Sequence, residues 1–396
     1  MSRICALFVV AGAAASTLAQ PTFTRLGFLP STAPYTNATG CSADGQVVAG
    51  GSFSNNGNEG WRWENGVMTG LGMLPGGSTN SEAYDISGDG NVVVGQGWNG
   101  SYFEGYRSTP GGLVGLGRLN PTSTRNIQSI AFGASFDGSV IVGYSRNVAD
   151  TGIVAFKWTL ADGMIGLGTL PGDANSIARA VSQDGTVIVG ESGSRGFRWD
   201  QSTGMMTALP MPADGTGSHR AFGISADNNV IVGVAQTDTG FEAARWVNGV
   251  GEILGSLPND DEEFDALAVA ASADGSVVVG SVLANQRYGG FFPRYQAFIW
   301  TEEDGLRLIA HELEDVYGLD LTDWIFTDAT GISDDGTIVV GTAINPDGIL
   351  EAWIVDYGRD CAADLSGSSD PNDPAYGVSD GTVDASDFFY YLDQFA

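Results

Sequence analysis

Basic side chains are scarce in this chain. Of its 396 residues, 17 are lysine or arginine against 47 aspartate or glutamate, a formal net charge of −30, and Lys157 is the only lysine. Such a surface repels nucleic acid and anionic lipid, so neither is expected as a partner. Histidine is almost as rare. With only His219 and His311, a histidine-based zinc site or a Ser-His-Asp triad has no support. Long apolar runs are missing as well. The one candidate, Ile4 to Leu18, is shorter than the roughly 20 residues a spanning helix needs.

That short run has a different reading. Arg3 supplies a basic n-region, Ile4 to Leu18 an apolar h-region and Thr17-Leu18-Ala19 a small-residue cleavage site. Residues 1–19 are therefore expected to be a signal peptide, and the mature protein to be secreted or held at the cell surface without membrane insertion. Two cysteines would then remain, Cys41 and Cys361. Export permits a disulfide. However, Cys41 fills a slot occupied elsewhere by Ile86, Ala134, Val181, Ile224, Ala271 and Ile332, where a free thiol behaves as a small hydrophobe. Two unpaired thiols are favoured over a bridge.

What the chain has in abundance is glycine, 58 residues of it, and a repeat. The phrase Ser-x-Asp-Gly-x-x-Val-x-Gly returns seven times in close variants, starting at Ser42, Ser87, Ser135, Ser182, Ser225, Ser272 and Ser333. The spacings are 45, 48, 47, 43, 47 and 61 residues, about the length of a four-stranded propeller blade. A second phase repeats with it. Aromatic strands such as Trp61-Arg62-Trp63 and Phe197-Arg198-Trp199 are followed by Leu-Gly-x-Leu, as in Leu71 to Leu74. Each unit thus reads as four strands. The first ends at the Ser, Asp-Gly reverses the chain, and both central residues of such a two-residue turn are expected at positive φ. The apolar Val-Val-Val-Gly stretch is the buried second strand.

Seven aspartates at one position invite a cation-ring reading. Asp227 is followed by Asn228 instead of Gly, and Asn is the other residue that accepts the left-handed conformation. Turn chemistry is preserved where the glycine is lost, which favours a structural role. The last unit lacks Leu-Gly-x-Leu, and Leu26-Gly27-Phe28-Leu29-Pro30 supplies it ahead of any first strand. The expected fold is all-β: a seven-bladed β-propeller over residues 20–357, closed when the N-terminal strand becomes the outermost strand of the last blade.

The strand phrasing is similar to that of WD-repeat propellers. More closely it resembles the bacterial HAF extracellular repeat family, named for a His-Ala-Phe segment. The matching stretches are Gln296-Ala297-Phe298-Ile299-Trp300, Glu351-Ala352-Trp353-Ile354-Val355 and Val154-Ala155-Phe156-Lys157-Trp158, all without the His. The resemblance covers residues 24 to 357 and implies an exported repeat protein of undefined activity.

Strand alternation divides the connections between two faces. First-to-second and third-to-fourth turns are short and share one face. Second-to-third and fourth-to-first connections share the other and are longer, as in Ser54 to Glu59, Gln96 to Glu104, Arg146 to Ile153 and Met211 to Arg220. That loop face is where function is expected. The sixth unit is the richest: Leu283 to Gln296 carries Arg287, Tyr288, Phe291 and Arg294, which suit planar or sugar-like ligands or a protein interface. The alternative is that these aromatics pack on their own blade. Trp98 with Tyr102, and His219 with Arg220, are further candidates. Leu306 to Leu321 has apolar residues at offsets of three and four and is expected to be a short helix.

After Tyr357 the chain turns acidic. Asp380-Gly-Thr382-Val-Asp384-Ala-Ser-Asp387 resembles the second half of an EF-hand or dockerin calcium loop. The resemblance implies Ca²⁺ held by Asp380, the Thr382 carbonyl, Asp384 and Asp387, with Asp364 as first ligand ahead of an inserted loop. Residues 358–396 would then be a calcium-stabilised tail, the alternative being an acidic tail of little order. The leading functional expectation is a secreted, monomeric, non-catalytic binding or structural module with a glycan or protein ligand. The second is a secreted carbohydrate-active hydrolase using a carboxylate pair on the loop face.

Overall fold

The computed structural model describes residues 20–257, 263–284 and 294–358. They form seven four-stranded antiparallel sheets. The first blade shows the plan, with strands Thr36–Cys41, Val47–Ser54, Gly57–Glu64 and Val67–Gly70 paired in chain order. The last blade pairs Ile325–Ile332, Ile338–Ile344 and Leu350–Asp356, and its fourth, outermost strand is Thr22–Arg25. The expected ring closure is therefore present. The expected signal peptide and the calcium-loop residues Asp364, Asp380, Thr382, Asp384 and Asp387 lie outside the described residues, as does Cys361.

The repeated phrase owes its invariance to three local demands. At the turn, the Ser hydroxyl donates to the Asp carboxylate in all seven blades, as in Ser42 Oγ to Asp44 Oδ1 at 2.6 Å. The same carboxylate accepts the N–H two residues on, from Gln46 in the first blade. These bonds outweigh partial burial and hold the Asp184 carboxyl at about 2. The turn differs from expectation in one respect. Only the residue after the Asp takes positive φ, 69° at Gly45 and 66° at Asn228, while the Asp keeps an ordinary conformation. The Asp serves as an acceptor, so a four-residue loop from Ala43 to Gln46 replaces the two-residue hairpin.

The second demand concerns the last glycine of the phrase. Every innermost strand carries a β-bulge three residues before its Ser, for example between Ala83 and Asp85. The facing residue is always that glycine. A Cβ on Gly95 would sit 1.9 Å from the Glu82 carbonyl oxygen, and one on Gly143 would sit 1.9 Å from that of Ile130. No other residue fits so close an approach.

The third demand is at the blade junctions. Ser81 Oγ accepts from Gly60 N and donates to the Gly72 carbonyl of the preceding blade. Ser129 and Ser176 do the same at the next two junctions. Thr36 repeats it at the seam, accepting from Ala352 N and donating to Gly27. The N-terminal strand is also pinned by Leu26 N to the Ala352 carbonyl, and by Arg25, which grips the buried Glu351 with two nitrogens at 3.1 and 2.7 Å. Leu26 and Leu29 are buried in the seam's apolar cluster with Trp61, Val340 and Ala352.

Two expectations are revised. The helix in the sixth-to-seventh connection spans only Ile309–Asp315, because Leu306 and Leu308 belong to the outermost strand Gly305–Leu308. The second-to-third connection of the first blade is shorter than read, just Asn55–Asn56, since strand pairing runs further, whereas that of the third blade does fall between Arg146 and Ile153.

The seam is open to a direct test. Leu26→Ala and Leu29→Ala should each cost about 2–5 kcal/mol in denaturant unfolding, and removing Thr22 to Pro30 should abolish cooperative unfolding. A truncated chain that melts like the full-length protein would refute closure by this strand.

Candidate functional site: the axial cavity

The bulge decides where side chains go. By adding one residue it turns the third side chain before each Ser toward the propeller axis. The seven residues so placed are Thr39, Tyr84, Phe132, Arg179, Phe222, Val269 and Thr330, and all line one axial cavity of about 460 Å³. The distribution is lopsided. Blades two to five contribute Tyr, Phe, Arg and Phe, whereas blades six, seven and one contribute Val, Thr and Thr. The space between them is of the size and mixed polarity typical of ligand pockets.

On the crowded side the side chains form one packed cluster. Phe132 lies 5.3 Å from Tyr84 and 5.9 Å from Tyr144, centre to centre. The Arg179 guanidinium stacks between Phe132, at 5.0 Å, and Phe222, at 5.9 Å. It donates to Glu191 at 2.6 Å, and Arg220 Nε reaches the other oxygen of the same carboxylate at 3.0 Å. Beside Tyr84, the Glu82 carboxylate accepts from the Tyr84 hydroxyl at 2.7 Å, from Gln96 at 3.1 Å and from Asn58 at 3.1 Å. Burial and this carboxylate push the Tyr84 hydroxyl far above the ordinary tyrosine range.

Asp85 is out of character. The position two before the Ser is Gly40, Gly133, Ala180, Gly223, Ala270 or Gly331 in the other blades. These are small because the neighbouring blade is close: a Cβ on Gly40 would fall 2.9 Å from Asp85 Oδ1. The Asp85 carboxylate accepts from Ala134 N at 3.0 Å. Its exposure is to the cavity, and burial pushes its pKa up to about 7. Asp328, in the seventh blade, is raised by burial too, against a hydrogen bond from Thr327.

The far end of the cavity, on the short-turn face, is barred. Gln183 Nε2 donates to both Asp334 oxygens, at 2.7 and 3.0 Å, joining the fourth blade to the seventh across the axis. Around it runs a collar of inter-blade backbone bonds, including Ala43 N to Gly88 O, Phe136 N to Gln183 O and Asp334 N to Ala43 O. Cys41 sits half-buried on the cavity wall with its thiol free and raised by burial.

The sequence-derived candidates fall elsewhere. Arg287, Tyr288 and Phe291 lie outside the described residues, and Arg294 begins the third strand of the sixth blade. Trp98 packs on Phe103 at 5.2 Å, and the Tyr102 ring carries the Arg118 guanidinium at 4.2 Å. Both are engaged within their own blade's surroundings and neither lines the axial cavity. His219 is corrected from a loop-face candidate to a junction residue. It is buried at the place where other blades put the bridging hydroxyl, with Nε2 2.9 Å from the Leu209 carbonyl oxygen. Its neighbour Arg220 reaches the Glu191 carboxylate that also holds the cavity residue Arg179. The signal that marked the cavity residues was present: one position in a uniform strand that varies freely from Thr to Phe to Arg, opposite a recurring strand glycine.

Among the described residues no group of three His, Cys, Asp or Glu side chains is placed to hold a metal, and no helix is long and apolar enough to cross a membrane. No family model matches the chain, and no curated protein does. Solved structures do. An oligogalacturonate lyase from Vibrio parahaemolyticus superposes with a TM-score of 0.53 at 12% identity, over 85% of this chain and 97% of that one. An oligogalacturonate lyase in complex with manganese gives 0.51 at 11%, over 85% and 96%. TolB from Acinetobacter baumannii gives 0.40 at 11%, over 78% and 79%. The likeness is one of fold.

Asp85 makes the cavity pH-sensitive. A carboxyl whose pKa rises on folding binds its proton more tightly in the native state, so its contribution to stability is greatest below about pH 4, falls as pH rises to about 7 and is flat above. Asp85→Asn mimics the protonated form. It should raise stability by up to about 4 kcal/mol at pH 8 and by little at pH 4, read as the difference in melting temperature between variant and wild type at each pH. An equal difference at both pH values would show that Asp85 is not raised.

Proposed function

We propose that the protein is a non-catalytic binding propeller whose ligand, a glycan, enters the axial cavity from the loop face. The observation that carries this reading is the convergence of the seven bulge residues, with Tyr84, Phe132, Arg179 and Phe222 forming an aromatic and cationic wall opposite Thr39 and Thr330. Aromatic faces take the apolar side of a sugar ring, and the hydroxyl, amide and carboxylate groups of Thr39, Thr330, Gln183 and Asp85 match sugar hydroxyls. The Gln183–Asp334 bar at the other end favours a ligand that enters and leaves by one mouth.

The first experiment is a glycan array and titration with the full chain, alongside Phe132→Ala. The variant should keep its melting temperature within a few degrees and lose roughly tenfold or more in affinity. Wild-type affinity in a folded Phe132→Ala protein would remove the cavity from the binding site.

A second reading, a carbohydrate-active hydrolase, has one observation in its favour. Asp85 is a carboxyl at about 7 on the cavity wall, the kind of group that donates a proton near neutral pH. Turnover of any glycan that Asp85→Asn abolishes would establish it over the binding module.

Export, a HAF-type identity and a calcium-stabilised tail complete the proposal and rest on the sequence alone. The tail residues Asp364, Asp380, Thr382, Asp384 and Asp387 would supply the oxygen ligands that Ca²⁺ prefers. Calorimetric titration with Ca²⁺ should show one site, lost in the Asp380→Ala, Asp384→Ala double variant; unchanged affinity in that variant would reject the assignment.

A further inference from the structure

We infer that the axial cavity selects an aminated glycan, and that the ammonium group is seated on the Asp85 carboxylate. This rests on the binding reading above and adds the ligand's charge. Among the described residues, three charged side chains line the cavity: Asp85, Asp334 and Arg179. The Arg179 guanidinium is already matched, since it donates to Glu191 at 2.6 Å. The two carboxylates are not. Asp85 accepts from the backbone N–H groups of Ala134, at 3.0 Å, and Ile86. Asp334 accepts from the side-chain amide of Gln183. These donors are all neutral, so both carboxylates stand on the wall without a counter-ion among the described residues.

Of the two, Asp85 is the one placed for a ligand. Asp334 belongs to the bar that closes the far end, with both oxygens engaged by Gln183. The scaffold has no need of Asp85, because the other blades hold glycine or alanine at its position. Its surroundings are close enough that a Cβ on Gly40 would fall 2.9 Å from Oδ1. A carboxylate set in so confined a wall without a counter-ion is costly, and an arriving cation offsets that cost. A sugar hydroxyl supplies a hydrogen bond alone, whereas an ammonium supplies the bond and the missing charge. The inward rings of the same two blades, Tyr84 and Phe132, lie 5.3 Å apart, and aromatic faces attract cations as well. A chain of net charge −30 favours the approach of such a ligand.

The test uses pairs of oligosaccharides of equal length and linkage that differ only in an amine against a hydroxyl: glucosamine against glucose, and galactosamine against galactose. Affinities are read by calorimetry on the full chain at about pH 6.5, where the amine is largely protonated. The aminated member of at least one pair should bind at least about tenfold tighter than its partner. Asp85→Asn keeps the shape and removes the charge. Asp85→Ala installs the side chain that the fourth and sixth blades carry as Ala180 and Ala270. Each should erase most of the preference, and the melting curve of each variant shows whether it is folded; Asp85→Ala carries the test should Asp85→Asn unfold. Equal affinity within both pairs, with binding still dependent on Phe132, would overturn the seat and leave the glycan reading standing. An amine preference kept in both folded variants would reflect attraction to the acidic chain as a whole and would overturn the seat too. Binding of none of the four oligosaccharides would overturn both readings.

Discussion

One close approach organises the molecule: the backbone of each innermost strand bulging against a glycine of the second strand. A methyl group at that glycine would lie about 2 Å from a carbonyl oxygen, so the phrase must end in glycine wherever a blade is to form. The bulge then sends one side chain per blade to the axis. Seven copies of the same local constraint thus yield a ring of seven inward positions that are free to differ, since nothing about the bulge depends on the side chain it redirects. Scaffold and specificity are separated at the level of single residues.

The ring itself is held by polar bonds as much as by apolar clusters. Hydroxyls at the start of the inner strands bridge neighbouring blades, and His219 supplies the equivalent contact at one junction. Thr36 carries the device across the seam between chain ends, where loop-closure entropy is greatest and a weak joint would open first. The collar on the turn face adds backbone bonds that no substitution of side chains can remove.

Charge is distributed to the same end. The acidic composition makes the protein a poor partner for anions in general, while the axial cavity holds Arg179 and Asp85 on its wall. Glu191 is shared between two guanidiniums and Arg179 is held between Phe132 and Phe222, whereas Asp85 in a row of glycine and alanine is unfavourable as pure scaffolding. Its cost to the fold is intelligible if the cavity binds something. Asp85 in particular replaces a residue that close packing elsewhere keeps without a polar side chain, and its carboxyl is held near neutrality by the lack of water around it.

How much of this could be read from the chain follows from the range of the interactions. Blade number, strand order, the structural use of the seven aspartates and the closing role of Leu26 to Leu29 were legible, because they repeat and depend on turn chemistry within a few residues. The helix from Leu306 was overread, since Leu306 and Leu308 satisfy a strand's burial as well as a helix's. The axial cavity was not among the sites expected from the sequence, which named loop residues such as Trp98 and Tyr102; in the fold those two pack on Phe103 and Arg118. His219 looked like a functional histidine and is a junction residue because its neighbour across the blade junction is the Leu209 carbonyl. By itself the sequence determined the repeat, the turns and the meeting of the two ends, all consequences of local sterics and hydrogen bonding. Only the tertiary structure decided that Tyr84, Phe132, Arg179 and Phe222, each separated by more than 40 residues from the next, share one cavity, because a bulge's direction and a ring's curvature are properties of paired strands and not of any one of them.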